Sequence, residues 1–265
     1  MSNDIKRIIR EYSPERALPL LRGVYNTIYF QDAPPQDPYL DVSRHLDISS
    51  PTVIDGGAYK GQMVEKFLDM FESPKIHAIE PLPQHVHKLN EIYKHNNDVL
   101  VHACALGDDN CDIYIKLNPK TNTSSVFETT KVFREKVKKF SSRSPFEYKP
   151  QDSVLVSQVR MDDLIEDCDI MKLDLRGYEF KALQGAKRLL ENCQAIITEI
   201  SFVPLYENQV LFLDLYDYVA QYDFRLYNLY VSNTSGGQIF HGDAVFLKQS
   251  VYNNSESLLS WFPDE

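Results

Sequence analysis

The sequence predicts an α/β domain: a mostly parallel sheet with helices on both faces, preceded by a helical extension. Three observations carry this. From Pro51 onward, short apolar runs alternate with segments whose apolar residues recur at helical spacing. Each run is short enough for a strand covered on both faces. The last two runs flank Gly236 and Gly237 and read as an antiparallel hairpin at one edge.

The elements follow in order. Residues 1–50 are the helical extension: Ile5, Ile8, Ile9 and Tyr12 fall at helical spacing. Pro14 opens a second short helix, with Ser13 placed to cap it. The stretch 32–38 holds Pro34, Pro35 and Pro38 and reads as a surface loop. Residues 51–250 are the main domain. Its first strand is 52–55, and Val64, Phe67, Leu68 and Phe71 then mark one helical face. A second strand spans 75–80, a helix runs from Gln84 to about His95, and a third strand spans 99–105. The fourth strand is 170–174, followed by a helix carrying Leu183, Ala186 and Leu190 inward. The fifth is 195–200. Leu211, Leu215, Tyr218, Val219 and Tyr222 form the next helical stripe, before two last strands at 224–231 and 244–248. Residues 251–265 form a C-terminal tail.

An insertion at about 118–158 interrupts the rhythm between the third and fourth strands. It sets eight Lys and Arg against four Asp and Glu, in a chain of net charge −10. It reads either as a solvated amphipathic helix around 129–140 or as a lid whose local field draws an anionic substrate.

Composition excludes several classes. Hydrophobic residues at 43% and charged residues at 25% rule out a disordered chain. No apolar run approaches the roughly 20 residues of a membrane span. The acidic balance opposes duplex-DNA and anionic-membrane partners. Cys104, Cys111, Cys168 and Cys193 make no Cys-x-x-Cys pair and no zinc spacing. They read as buried, inert thiols of a cytoplasmic protein.

Ligands of open α/β sheets bind beyond the carboxyl ends of the strands. The first such turn is Asp55-Gly56-Gly57-Ala58-Tyr59-Lys60-Gly61. A dinucleotide fingerprint would need glycine at Ala58, and Asp55 would repel a pyrophosphate. That argues against a nicotinamide-dependent oxidoreductase. A ligand with an ammonium and no phosphate suits the turn better. S-adenosylmethionine is one, with Asp55 to receive its ammonium and Glu80, ending the second strand, to accept its ribose hydroxyls.

Further segments complete a resemblance. They are Ala78-Ile-Glu-Pro81, Ala103-Cys-Ala-Leu-Gly107, Asn122-Thr-Ser-Ser125, Val159-Arg-Met-Asp-Asp-Leu164 and Met171-Lys-Leu-Asp-Leu-Arg-Gly-Tyr-Glu179. Leu183-Gln-Gly-Ala186, Thr198-Glu-Ile200 and Asp243-Ala-Val-Phe246 follow. In their order and spacing, over about residues 51–248, the sequence resembles the FkbM-type S-adenosylmethionine-dependent methyltransferases. The resemblance implies a seven-stranded Rossmann-like methyltransferase sheet with an antiparallel last strand. It implies methyl transfer, usually to a hydroxyl of a sugar or other small metabolite. Asp55, Gly56, Gly57, Ala58, Gly61, Glu80, Pro81, Ala105, Leu106 and Asp174 are the expected cofactor-binding residues. Two positions depart from the family: Tyr59 stands in place of asparagine, and Arg176 in place of a carboxylate.

Asp174 is the first candidate beside the transferred methyl group, with Lys172 on the same strand face. Glu199, ending the fifth strand, is the second, and His241 before the last strand is a further candidate base. Asp174 and Glu199 could flank one divalent ion, with Mg²⁺ suited to oxygen ligands; hydrogen bonding to helix N-termini is their alternative role. Arg176 and the basic insertion point to an anionic acceptor, such as a phosphorylated, nucleotide-linked or uronic-type sugar. Ser124 and Ser125 are the expected polar contacts to it. Residues 1–50 either cover the active site or build a homodimer interface, and a cofactor-binding protein without turnover is a further reading. A nucleic-acid methyltransferase is opposed by the net charge and by the lack of an Asn-Pro-Pro-Tyr-like pocket for a flipped base; Asp37-Pro-Tyr39 is a partial look-alike that lies before the first strand, in the wrong place.

Overall fold

The computed structural model describes residues 37–117, 124–131, 153–235 and 238–254. The predicted helices within 1–36, most of the basic insertion, the Gly236-Gly237 turn and residues 255–265 lie outside these.

The described chain opens with α1 (Pro38–His45), where the sequence predicted a loop up to Pro38. Asp37 accepts from the backbone N–H groups of Tyr39 and Leu40, and Pro38 sits at the first helical position. The Asp-Pro pair therefore starts a helix, because proline's missing N–H is an unpaired donor there anyway. Then follow β1 (Thr52–Gly56), α2 (Gln62–Met70), β2 (Lys75–Ile79), α3 (Pro83–Tyr93) and β3 (Val99–His102). Next come β4 (Ala105–Leu106), β5 (Cys111–Lys116), β6 (Ser153–Val159), α4 (Met161–Leu164) and β7 (Ile170–Leu173). The chain continues through α5 (Glu179–Gln184), α6 (Lys187–Asn192), β8 (Ala195–Ser201) and α7 (Phe212–Ala220). It closes with β9 (Phe224–Ser235), β10 (Gln238–Lys248) and α8 (Gln249–Asn253).

The main sheet has seven strands in the order β3-β2-β1-β7-β8-β10-β9. β3, β2, β1, β7 and β8 run parallel, and β10 is antiparallel to both β8 and β9. The predicted α/β class with an antiparallel last strand is what the chain adopts. Chain order reverses between β1 and β7. That is a topological switch point, where strand ends open a crevice.

Three details differ from the sequence reading. The predicted third strand ends at His102; Ala105 and Leu106 turn away and pair with Gln158 and Val159. They join a second sheet, β4-β6-β5, whose β5 and β6 the sequence reading missed. Both strands are half-exposed and short of the continuous apolar run that marks a core strand. The helix after the fourth strand breaks into α5 and α6 at Gly185, where a Cβ would lie 2.0 Å from the Gly107 carbonyl oxygen. Of the four cysteines, Cys111 is exposed rather than buried, because β5 is an edge strand.

The main sheet carries a core on each face. Leu183, Leu190, Phe212 and Val219 pack on one, and Val42, Phe67 and Leu89 on the other. Phe67 and Leu89 are completely buried, each a gain of about 2 kcal/mol in removing apolar surface from water. Among the described residues no helix is long and apolar enough to cross a membrane.

Candidate active site

A cavity of about 340 Å³ opens at the carboxyl ends of β1, β2 and β7, within the size range of small-ligand sites. Its wall includes Gly57, Ala58, Glu80, Pro81, Ala105, Leu106, Ser124, Ser125, Lys172, Asp174 and Arg176. The sequence reading had placed all of these at the site. Asp55, Gly56 and Gly61 do not reach the wall, and neither do Glu199 and His241.

The β1 turn shapes the floor. Gly57 has φ +80, and a Cβ on it would meet the Asp174 carbonyl oxygen at 2.2 Å. Only glycine lets the two strand ends approach this closely. The backbone N–H groups of Gly57 and Ala58 both donate to the Ile79 carbonyl. Gly61, at φ +87, leads into α2, and no side chain caps that helix. Gln62 and Met63 of its first turn face the cavity.

Asp55 lies beneath this floor, fully buried. Its Oδ1 is 2.9 Å from Lys172 Nζ, and Oδ2 has no hydrogen-bond donor among the described residues. Lys172 also donates to the carbonyls of Gly56 and Gly57 at 3.3 and 3.4 Å. Asp55 was expected to receive a ligand ammonium; its cation is instead the protein's own lysine. Lys172, expected beside the chemistry, is committed to holding the turn. Burial alone would lower its pKa, but the charges of Asp55 and Asp174 outweigh burial and hold it raised.

Glu80 stands at the mouth of β2 with 5% exposure. Oε2 accepts from Tyr59 N–H and Oε1 from Leu82 N–H, each at 2.9 Å, and His85 Nδ1 lies 3.4 Å from Oε1. These contacts lock the carboxylate's orientation, and Oε2, with a single donor, keeps a second lone pair for a ligand hydroxyl. Burial raises its pKa despite them.

Beyond Asp174 lies a charged cluster. Arg176 Nε is 3.4 Å from Asp174 Oδ1, and its Nη1 is 3.4 Å from Glu199 Oε1. His241 Nδ1 is 3.5 Å from the same Glu199 oxygen. Burial and Arg176 depress His241, which keeps the ring neutral near pH 7. Burial, then Asp174 and Glu179, push Glu199 well up, with Arg176 pulling the other way. Arg176 has φ +56, and its carbonyl accepts from Ser125 Oγ at 2.8 Å. The Ser125 hydroxyl therefore secures a strained turn.

Asp174, Glu179 and Glu199 offer carboxylate oxygens within 4.8 Å of one another. They do not fit a metal ion. Arg176 already bridges Asp174 and Glu199 as a fixed cation. Glu179 Oε1 is occupied by the N–H groups of Leu175 and Gly177, at 2.7 and 3.2 Å. The Mg²⁺ that Asp174 and Glu199 could have flanked has no open place here, because the guanidinium stands between the two carboxylates.

The sequence reading missed Tyr39, Gln62, Met63 and Tyr178 on the wall, and Glu179, Tyr206 and Asp243 behind it. Tyr178, Glu179 and Asp243 stood in recognised segments; Tyr39 stood only in Asp37-Pro-Tyr39, a partial flipped-base look-alike set aside because it lies before the first strand.

The methyltransferase FkbM domain family matches residues 55–226. No curated protein matches the chain. Methyltransferase FkbM from Methylobacillus flagellatus KT is 18% identical with a TM-score of 0.50. The match covers 84% of this chain and 47% of that one, so this chain spans about half the length of that relative. The likeness is one of fold. The Aeropyrum pernix fibrillarin bound to S-adenosyl-L-methionine is 9% identical, with a TM-score of 0.41 over 74% of this chain and 66% of that one. A Streptococcus thermophilus rRNA methylase is 10% identical, with a TM-score of 0.45 over 82% and 99%.

Proposed function

The chain belongs to the FkbM methyltransferase family, and we propose that it moves a methyl group from S-adenosylmethionine to a hydroxyl of a small acceptor, a sugar or similar metabolite. The observation that carries the cofactor choice is Glu80. Its carboxylate is buried on the wall of a cavity at the switch point, held by two backbone N–H groups and His85, with Oε2 open to accept from a ribose hydroxyl. The floor suits the same ligand. Gly57 leaves no side chain in the way, and the surrounding carboxylates favour a cation.

Bound there, the cofactor supplies a methyl on sulfur; attack by the acceptor oxygen forms an O–C bond as the S–C bond breaks. The protein's part is alignment and proton removal. Asp174 is the carboxylate on the cavity wall that Arg176 orients, and it takes the acceptor's proton. Glu199 and His241 stand behind Arg176 and set its position. An anionic acceptor drew on Arg176 as an open cation; with Asp174 and Glu199 against it, a neutral polyhydroxyl acceptor fits better. A cofactor-binding protein without turnover is the second reading, favoured by the same neutralised cluster.

Isothermal titration with S-adenosylmethionine and S-adenosylhomocysteine tests the proposal. Micromolar binding that Glu80→Ala abolishes is the expected result; no binding by the intact protein would sink it. Release of S-adenosylhomocysteine with a panel of sugars separates enzyme from binding protein.

A further inference from the structure

Arg176 lies against Asp174 from a backbone conformation that disfavours a side chain. Its φ is +56, Gly177 follows at φ +94, and the cost of the left-handed region at Arg176 must be offset by contacts around it. Asp174 depends on those contacts. Its Oδ1 is buried and accepts no hydrogen bond among the described residues, so its orientation rests on the 3.4 Å ion pair with Arg176 Nε.

Glu179 grips the turn from both sides of Arg176. It is 4% exposed, and its Oε1 accepts from Leu175 N–H at 2.7 Å and from Gly177 N–H at 3.2 Å. Successive backbone N–H groups that converge on one oxygen form an anion-binding nest. The residue between these two donors is Arg176. The Tyr206 ring closes the turn from the other side, where a Cβ on Gly177 would meet it at 2.9 Å. The charged and titratable groups that face Glu179 are Asp174 and Arg176 from the end of β7, Glu199 from β8 and the Tyr206 phenol. Burial pushes the Glu179 carboxyl up to about 7; its backbone N–H partners pull the other way, and Asp174 adds to the rise.

We propose that Glu179 is a positioning residue for methyl transfer: its carboxylate, seated between the Leu175 and Gly177 N–H groups, holds the Arg176 turn and so sets the guanidinium against Asp174. This rests on the methyltransferase reading above, in which Asp174 takes the acceptor's proton. An ionised carboxylate binds such N–H groups about twice as strongly as its neutral form. Protonation of Glu179 therefore loosens Arg176 at a pH where ordinary carboxylates keep their charge.

The test follows the Arg176 Nε–H resonance of protein labelled with ¹⁵N-arginine, in the parent and in Glu179→Gln. The signal is identified by its absence from Arg176→Lys. Glutamine keeps the size and one acceptor oxygen but carries no charge, and a melting curve confirms the fold. The parent's resonance should move between about pH 8.5 and about 5.5, with a midpoint near 7. In Glu179→Gln it should begin near the parent's acidic position and move less than half as far. With an acceptor from the sugar panel, kcat should fall at least tenfold in the variant while the KM for S-adenosylmethionine stays within about threefold. A variant resonance that titrates as the parent's does, or an unchanged kcat, would overturn the inference while the methyltransferase reading stands. Intact protein that binds no S-adenosylhomocysteine would overturn that reading and this role with it.

Discussion

Lys172 Nζ lies 2.9 Å from Asp55 Oδ1, and the two residues stand directly opposite each other on the parallel neighbours β7 and β1. Each is at most 6% exposed in its side chain. The pair ties the first strand's turn to the strand across the switch point, beneath the cavity floor. Removing one partner of a buried ion pair strands the other charge in a low-dielectric interior. Lys172→Met should therefore cost about 3–5 kcal/mol in chemical denaturation. Adding Asp55→Asn should recover part of that loss. A single variant within about 1 kcal/mol of the parent would show that the pair is not structural.

Gly57 faces the Asp174 carbonyl closely enough that a methyl group cannot fit. Gly57→Ala combines that clash with a positive φ, and the turn must move. Stability should fall by about 2–3 kcal/mol. Cofactor affinity should fall at least tenfold in the same calorimetric titration. A variant that binds normally would place the ligand elsewhere.

Arg176 does the work of a cation among Asp174, Glu179 and Glu199. Turnover by the parent should survive prolonged EDTA treatment unchanged. Arg176→Ala leaves the carboxylates facing one another and should acquire Mn²⁺ binding, read by calorimetry, that the parent lacks. Loss of parent activity in EDTA would contradict the assignment.

Asp243 supplies a pH dependence. Burial, then Asp174, pushes its carboxyl from the ordinary 3.8 up to about 6. The folded protein holds this proton more tightly than the unfolded chain does. Its stabilising contribution is therefore full below about pH 4 and lost as the pH rises through about 6. Asp243→Asn should remove this slope, gaining about 1–3 kcal/mol over the parent across that window. Parallel stability curves for parent and variant would contradict the shift.

Much of this was legible in the chain because the sheet is covered on both faces. The continuous apolar runs at β1, β7 and β8 have no other stable home, and loops that follow such strands must meet at one edge. That reasoning found Gly57, Glu80 and Asp174, which do line the cavity. It failed on β5 and β6, whose half-exposed residues carry no such signature. It also failed at Pro38, where a proline compatible with a helix start was read as a breaker.

The sequence by itself determined the order of the main sheet's strands, the α/β class and the identity of the turns that hold the chemistry, because hydrophobic periodicity and glycine placement are local properties. Only the tertiary structure decided how the charges are matched. Lys172 was free to be a catalytic group until β7 came to lie against β1 and set it on Asp55. Arg176 was free to hold an acceptor until the ends of β7 and β8 placed it between Asp174 and Glu199. Tyr39 entered the site only because α1 docks on α2. An ion pair's partner is set by distance in space, and no spacing along the chain encodes it.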